Sequence, residues 1–454
     1  MKTYLDWSEY EDAGMGDAYA DIPKTGGDFA KAVAVCINSR QCETNTKGVM
    51  CPSFRLNASS HLSTGGRVRL LKAALNGTLE PHGLLNPELV EAMDLCVSCK
   101  GCKRECENNV DMARIKIEYQ AQLNERMGLS LRARLFSELP TLLSQYPWFG
   151  RLVGWRNRSS RLSRLGERFL GISASVTLPV PTREPASFNR HTETRERSVV
   201  LFVDTFNRHY APAVVQAAID VLESAGNRVI LSTDLEEGEP LSSGRTYLAQ
   251  GRVAEARREA LRVVEALLPL AREGVPIIGL EPSCLLTFRD EYSALGLGAD
   301  AVYLANQSLL FEEFLARELT AGRLSLPWKT REAQEASTRL LVHGHCHQKA
   351  VGAMKSMRKV LKAIPGLDFE IIDAACCGMA GSFGVESEHM QAGREMAEQA
   401  LAPALREEPE ALVVANGFSC RQQIDLTTGR TGLHLAELIR SRLSGALGRP
   451  GVFN

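Results

Sequence analysis

Two hydrophobic patterns divide this chain. Up to about residue 130, apolar residues recur every three or four positions between groups of cysteines, a spacing typical of amphipathic helices. It predicts helices over residues 67–76, 87–95 and 110–127. From residue 198 onward, short continuous apolar runs alternate with longer helical stretches. Continuous runs of this kind are typical of parallel strands that are buried on both faces.

The alternation in the second part predicts α/β architecture. The expected strands are 199–203, 228–231, 275–280, 339–343, 369–373 and 411–415. The expected helices are 212–225, 254–272, a stretch ending near 363, 389–406 and 435–443. Strands that alternate with helices favour parallel sheets with right-handed crossovers.

The α/β part repeats its landmarks at the strand ends. They are Thr205, Ser242-Ser243-Gly244 and Cys284 in the first half, and Cys346, Cys376-Cys377-Gly378 and Cys420 in the second. We interpret this repetition as an internal duplication. The predicted fold is therefore mixed. A helical domain over 1–130 and a basic helical connector and linker over 131–197 precede two duplicated α/β parallel-sheet domains over 198–330 and 338–454.

The connector interleaves arginines with leucine and aromatic residues. One interpretation is a basic amphipathic face for a membrane surface or an acidic partner. The other is a set of helices that pack onto the neighbouring domains and leave their arginines in solvent. We favour packing, because arginine-rich faces are common on helices of soluble proteins. Residues 176–197 contain several prolines and predict an extended linker.

Composition narrows the function classes. The formal net charge of −1 over 454 residues does not indicate a nucleic-acid partner. No run of about 20 apolar residues predicts a membrane span, and the first residues lack the apolar core of a signal peptide. Twelve cysteines in clusters therefore indicate metal ligation in a reducing cytoplasm rather than disulfides.

The sequence from Cys96 to Cys106 reads C-x2-C-x2-C-x3-C, the spacing of a ferredoxin loop. In such a loop the first three thiolates hold one [4Fe-4S] cluster and the fourth serves another. The missing ligand must come from elsewhere, and Cys51, followed by proline, is the candidate. The predicted site is Cys51, Cys96, Cys99 and Cys102. A structural zinc knuckle is the alternative, although a tight triplet plus one cysteine suits it less well.

A second cluster site is one ligand short. Cys36 and Cys42 align with the first and third positions of a ferredoxin loop, and Ser39 stands at the second. Together with Cys106 they offer three thiolates. This second site can hold a three-iron cluster, a cubane with a ligand other than cysteine, or nothing.

The second α/β domain gathers four thiols at its strand ends. Cys346, Cys376, Cys377 and Cys420 can form a closed site for zinc or iron. The histidines around Cys346 can replace a ligand or orient one, and we take His345 and His347 as candidates, with His343 also flanking the cysteine. The alternative is a group of inert buried cysteines. In the first α/β domain only Cys284 remains, and we expect no metal there.

Four motifs carry a family resemblance: 48–55 (GVMCPSFR), 95–102 (LCVSCKGC), 343–349 (HGHCHQK) and 376–384 (CCGMAGSFG). They resemble the iron–sulfur family that joins a ferredoxin domain to two cysteine-rich CCG domains. Its members include the iron–sulfur proteins of glycolate oxidase and of anaerobic glycerol-3-phosphate dehydrogenase, and one of the heterodisulfide reductase subunits. By motif, the chain is most similar to the C-terminal half of FAD-linked D-2-hydroxyglutarate and D-lactate dehydrogenases.

The resemblance implies a non-catalytic subunit of an oxidoreductase. It would accept electrons from a separate FAD-containing 2-hydroxyacid dehydrogenase and pass them to a quinone or a carrier protein, with no FAD on this chain. Three departures stand out: Ser-Ser-Gly replaces the first CCG motif, Gly417 replaces one thiol of a terminal C-x-x-C, and Glu107 follows Cys106. The alternatives are a disulfide reductase-like enzyme at the CCG site and a zinc-binding scaffold. The expected location is the cytoplasm, with peripheral contact at the inner membrane as the other option.

Overall fold

Six helices surround the N-terminal cysteines. The computed structural model describes residues 1–17, 20–44, 48–182, 187–190, 197–329 and 339–444. The helices of the first domain are α1 (Asp28–Ala34), α2 (Phe54–Asn57), α3 (Thr64–Leu75), α4 (Pro87–Asp94), α5 (Gly101–Glu105) and α6 (Met112–Met127). All three helices predicted here are confirmed as α3, α4 and α6. Side-chain caps define where they start: Asn86 accepts from the backbone of Glu88, and Asp111 from that of Arg114.

In its described residues the connector contains four short helices: α7 (Leu131–Ser137), α8 (Leu139–Gln145), α9 (Phe149–Arg158) and α10 (Ser160–Leu170). The favoured packing is seen at α7, where Ser137 and Glu138 bind Arg252 of the first α/β domain. It is not seen over α9 and α10, whose large apolar side chains are mostly exposed. The predicted linker has no helix or strand over 176–182 and 187–190, and its last residue, Arg197, begins the first strand of the next domain. Residues 183–186 and 191–196 lie outside the described ranges.

The first α/β domain contains a four-stranded parallel sheet in the order β2-β1-β3-β4. Apolar strands and helix faces form its core, as the continuous apolar runs predict. Its elements are β1 (Arg197–Phe202), α11 (Thr205–Tyr210), α12 (Pro212–Ser224), β2 (Asn227–Leu231), α13 (Arg245–Ala249), α14 (Val253–Arg272), β3 (Ile277–Gly279), α15 (Pro282–Arg289), α16 (Glu291–Ala294), α17 (Gly298–Gln307), β4 (Ser308–Leu310) and α18 (Phe311–Thr320).

The second α/β domain contains a three-stranded parallel sheet in the order β6-β5-β7. Its elements are β5 (Arg339–Val342), α19 (Cys346–Ala350), α20 (Met354–Ala363), β6 (Asp368–Ile371), α21 (Met390–Glu398), α22 (Leu401–Glu407), β7 (Leu412–Val414), α23 (Phe418–Thr428) and α24 (Leu435–Ser441). Residues 338 and 445–454 lie outside the described ranges.

Two helices that were predicted to be continuous in this domain are each broken into two. The helix that ends near residue 363 is broken into α19 and α20 at Gly352, which has a φ of +76°. The helix over 389–406 is broken into α21 and α22 between Glu398 and Leu401. Periodicity alone does not reveal such breaks, because the apolar face resumes after each of them.

The two sheets share a strand order, with the first strand in the centre and the next two on either side. A common apolar core joins the two domains through Val214 of α12, Phe311 of α18 and Leu435 of α24. Duplication and the exact domain boundaries stay predictions. Within the described ranges, no helix combines the length and the hydropathy that a membrane span requires.

Candidate metal centres

The four cysteines predicted to share one cluster converge on one cavity. Cys51, Cys96, Cys99 and Cys102 all line it. Three of these thiols are buried and Cys96 is half-buried. Cys51 comes from the loop before α2, Cys96 and Cys99 from the loop between α4 and α5, and Cys102 from α5 itself. Tertiary contacts therefore bring Cys51 to the other three.

Glu105 and Gly101 hold the loop before Cys51 against α5. The Glu105 carboxylate accepts hydrogen bonds from the backbone N–H groups of Val49 and Met50, each at 2.8 Å. Gly101 begins α5 at the point of closest approach, where a Cβ atom would lie 2.8 Å from the Met50 nitrogen. A side chain at position 101 would therefore force the two loops apart.

The cavity suits thiolates bound to a cation. The backbone N–H of Thr64, at the start of α3, donates to the Cys51 sulfur at 3.1 Å. Burial, and then the nearby Asp111 carboxylate, raises the pKa of Cys102 to about 12. Burial likewise raises the pKa of Cys99 well above its usual value. Such thiols ionise only when a metal compensates their charge, so the donor set fits an iron–sulfur cluster.

The second predicted set lies beside the first. Cys36, Cys42 and Cys106 are half-buried, and Cys36 is close enough to both of the others to feel their charge. The N–H of Gly65 donates to the Cys42 sulfur at 3.2 Å. A hydrogen bond from Cys51 lowers the pKa of Cys42 to about 6. The three thiols are thus neighbours, and their occupancy by a cluster stays a prediction.

Four further thiols meet at the carboxyl edge of the second sheet, where open α/β sheets bind ligands. Cys346 begins α19 after β5, Cys376 and Cys377 follow β6, and Cys420 lies in α23 after β7. Each thiol contacts the next in this order. Contact with Cys376, together with burial, raises the pKa of Cys346 well above its usual value.

The three histidines of this pocket have different surroundings. His345 caps α19, because its Nδ1 accepts from the N–H of His347 at 3.1 Å. The Nε2 of His347 lies 3.0 Å from the carbonyl oxygen of Ser98. A ring nitrogen of His343 instead lies within 4.8 Å of the sulfurs of Cys377 and Cys420. Metal ligation by His345 and His347 stays a prediction. The position of His343 beside two sulfurs makes it a further candidate for a metal ligand.

Two features of this pocket are absent from the sequence-based ligand set. Lys349 is a half-buried cation beside all four thiols, and its ammonium donates to the carbonyl oxygens of Ala374 and Ala375. Gly417 leaves room for a ring, since a Cβ there would lie 2.5 Å from Cδ2 of His345. The imidazole of His345 thus occupies the space next to the position where a thiol is missing.

The ferredoxin loop packs directly against this pocket. His347 reaches Ser98 in that loop, and Cys99 shares an apolar cluster with Cys376 and Phe383. On its other side, buried Lys100 forms ion pairs with Asp290 at 2.5 Å and Glu291 at 2.7 Å. The predicted cluster loop therefore lies between the two α/β domains.

The corresponding pocket of the first α/β domain is acidic. Cys284 is buried close to Asp204, Glu281 and Ser243. Burial, followed by the charge of Asp204, raises the pKa of Glu281 to about 7. The Glu281 carboxylate accepts from the N–H of Phe418 at 2.6 Å and so joins the two domains. One buried thiol among hydroxyls and carboxylates is a poor soft-metal site, and its expected lack of metal stays a prediction.

The raised pKa of Glu281 predicts a pH dependence of stability. Native protein holds this proton up to about pH 7, whereas the unfolded chain releases it near pH 4.5, so stability falls as pH rises through this window. Between low and high pH, we expect the free energy of unfolding of Glu281→Gln to fall by about 3 kcal/mol less than that of wild type. Urea denaturation at about pH 5 and pH 8 measures it, with the exposed Glu407→Gln as control. The prediction would be contradicted if wild type and Glu281→Gln lost the same free energy of unfolding between these two pH values.

Two family models match the parts of the chain that hold these cysteines. Residues 35–111 match the model of the 4Fe-4S dicluster domain, and residues 340–425 match that of the cysteine-rich domain, CCG. The predicted family resemblance is confirmed. The ferredoxin match covers both N-terminal cysteine sets and implies a [4Fe-4S] cluster. The second match covers the four-thiol pocket, and the first α/β domain lies outside both matched ranges.

Curated relatives support the same assignment. D-2-hydroxyglutarate dehydrogenase of Pseudomonas putida is 26% identical over 91% of this chain and 43% of its own length. The Escherichia coli K12 enzyme of that name is 25% identical over 78% of this chain and 35% of its own length. A subunit of anaerobic glycerol-3-phosphate dehydrogenase from the same strain is 28% identical over 54% of this chain and 59% of its own length. This chain thus spans less than half of the two first-named relatives. These iron–sulfur similarities indicate an electron-transfer role.

Proposed function

We propose that this chain is the iron–sulfur electron-transfer subunit of a 2-hydroxyacid dehydrogenase complex. The observation that carries the proposal is the convergence of Cys51 with Cys96, Cys99 and Cys102 on one buried cavity. A [4Fe-4S] cluster held there accepts and releases single electrons, with a potential set by burial and hydrogen bonds. Cys36, Cys42 and Cys106 would hold the second cluster of the dicluster domain.

The residues of the chain have definite roles in this proposal. Thr64 and Gly65 donate hydrogen bonds to cysteine sulfurs, which tunes the potential of a bound cluster. Glu105 keeps the two cysteine loops together. Cys346, Cys376, Cys377 and Cys420 would bind zinc or iron in the pocket beside the ferredoxin loop.

The proposed electron donor is a separate FAD-containing dehydrogenase that oxidises a 2-hydroxy acid of the D-lactate, D-2-hydroxyglutarate or glycolate type. The names of the D-2-hydroxyglutarate dehydrogenases that match this chain support it, because this chain covers only part of their length. The proposed acceptor is a quinone or a carrier protein. A disulfide reductase is less well supported, because it needs a reactive thiolate, whereas contact with Cys376, together with burial, keeps the pKa of the pocket thiol Cys346 high.

Purification under anaerobic conditions tests the proposal. The tagged chain should be brown without flavin, contain iron and sulfide, and co-purify from its host with a flavoprotein that reduces a redox dye when given a 2-hydroxy acid. Cys99→Ser should keep the flavoprotein bound but lose at least about nine-tenths of dye reduction, because its cluster lacks a ligand. Colourless protein containing zinc alone would overturn the proposal and favour the zinc scaffold.

We also propose that the connector contacts the membrane surface where a quinone would be found. On α10, Leu162, Leu165 and Phe169 form one exposed stripe. Arg161, Arg164 and Arg168 are exposed beside it. Apolar residues next to arginines are typical of helices that lie in the interface of an anionic bilayer. The proposed location is therefore the cytoplasm, with peripheral contact at the inner membrane.

Vesicle binding tests this contact. We expect Leu165→Ser to reduce co-sedimentation with anionic phospholipid vesicles about fivefold, because a buried leucine contributes on the order of 1 kcal/mol or more. Val302→Ser on α17 is the matched control, since both side chains are 51% exposed. Two outcomes would contradict a membrane contact through the apolar stripe and arginines of α10. One is that wild type binds neutral and anionic vesicles equally, and the other is that both variants lose the same share of binding.

A further inference from the structure

One imidazole in the four-thiol pocket has no hydrogen-bond partner. His343 follows β5, and its backbone N–H donates to the carbonyl of Val414 at 2.8 Å. This bond holds the residue at the carboxyl edge of the sheet. Its side chain is fully buried, and neither ring nitrogen has a partner in the described part of the chain. Because buried polar groups nearly always have partners, this imidazole indicates a ligand.

The nearest group of ligand atoms consists of two cysteine sulfurs. A ring nitrogen of His343 and the sulfurs of Cys377 and Cys420 all lie within 4.8 Å of one another. A tetrahedral zinc ion holds nitrogen and sulfur ligands about 3.5–3.8 Å apart. The trio therefore needs to close only slightly around one ion.

The surroundings of His343 suit this role, because the ammonium of Lys349 lies close to the ring. The cation of Lys349 also balances part of the negative charge that several thiolates would bring into the same buried space.

The other two histidines of the motif each use one ring nitrogen elsewhere. Nδ1 of His345 accepts the backbone N–H that caps α19. His347 directs Nε2 to Ser98 in the ferredoxin loop. Although Nδ1 of His347 is unpartnered, this residue belongs to no described group of three ligands at metal distance. Of the three imidazoles, His343 is the one that faces two thiols.

We propose that His343, Cys377 and Cys420 bind one transition-metal ion, with Cys376 as the fourth ligand. This inference deepens the proposed function, because it rests on the metal assigned there to the second α/β domain. His345 and His347 are positioning residues: the first caps the helix that begins with Cys346, and the second binds the ferredoxin loop. Cys346 is hydrogen-bonded to Cys376 and lies near Cys99, and in this ligand set His343 takes its place in the four-thiol set considered above.

Three matched variants test the assignment in the full chain, purified anaerobically. A cubane cluster brings iron and sulfide in equal numbers, so metal in excess of sulfide reports the mononuclear site. Wild type should show an excess of about one metal ion per chain. His343→Gln should lose it, whereas His345→Gln and His347→Gln should keep it. Cluster absorbance and circular dichroism check that each variant is folded.

The outcomes separate this inference from the function on which it rests. Retention of the excess metal in His343→Gln, or equal loss in all three variants, overturns the ligand assignment. If His343→Gln fails to fold, His343→Cys decides: it offers a soft ligand and should keep the metal, and loss of metal with an intact cluster overturns the assignment. Brown wild-type protein without excess metal overturns the mononuclear site but leaves the cluster and its electron-transfer role standing.

Discussion

Cys51→Ser is expected to abolish the cluster at the main cavity, with iron and sulfide at that site falling below about a tenth of wild type. Cys51 lies in a different loop from the other three ligands and is the one that closes the site. A serine hydroxyl is a poor ligand for iron in a buried site, because its pKa is far higher than that of a thiol. Iron and sulfide analysis, with the visible absorbance, measures the loss.

Cys284→Ser is the matched control for this prediction. Cys284 is as buried as Cys51, with relative exposures of 3% and 5%, but its surroundings are acidic. We expect its iron and sulfide to equal those of wild type. If both variants lose iron equally, the loss reflects general damage to the fold. If Cys51→Ser keeps a full cluster, Cys51 is not the fourth ligand and the proposed function loses its main support.

Lys100→Met is expected to lower the free energy of unfolding by about 3–5 kcal/mol. Lys100 is 4% exposed and pairs with Asp290 and with Glu291, whose side chain is also almost fully buried. Removal of the ammonium leaves Glu291 with Arg245 alone and Asp290 with Lys103 alone. The buried carboxylates then carry more negative charge than their partners compensate, which costs more than the pair itself contributes. Urea denaturation, followed through the absorbance of the cluster and through circular dichroism, measures the change.

Lys103→Met provides the comparison. Lys103 binds Asp290 and, at 2.9 Å, the buried Asp111, but its own side chain is 42% exposed. Because water screens an exposed ammonium, its removal should cost less than that of Lys100, about 1–2 kcal/mol. If the two variants lost the same free energy of unfolding, the burial of the Lys100 ion pairs would not add to their contribution to stability. A large loss in Lys100→Met alone would show that the ferredoxin loop is anchored to the first α/β domain through this residue.

Much of the architecture was predictable because local patterns dictate it. Consecutive apolar residues such as 199–203 suit only a strand buried on both faces, and β1 is found there. Caps such as Asn86 fix a helix start through a contact between near neighbours. The breaks at Gly352 and after Glu398 were not predicted, because the apolar period continues across them.

For the metal-ligand sets too, some features follow from the sequence and others only from the tertiary structure. Within the ferredoxin loop, the spacing from Cys96 to Cys106 by itself determined which thiols lie together, because a few residues of chain span one cluster. The sequence alone also determined the two kinds of domain. What only the tertiary structure decided is how distant groups meet. Cys51 was already predicted as the fourth ligand, but only the structure shows that Glu105 and Gly101 hold its loop at the cavity. Only the structure likewise places the ferredoxin loop between two α/β domains, through Lys100 and His347.

The histidine motif shows this limit most clearly. Three histidines at alternate positions, His343, His345 and His347, are nearly equivalent in sequence. Only folding turns one toward Cys377 and Cys420, a second onto a helix N-terminus and a third toward Ser98. The physical reason is that metal ligation depends on distances of a few ångströms between side chains. Spacing along the chain sets those distances inside one loop, and packing sets them everywhere else.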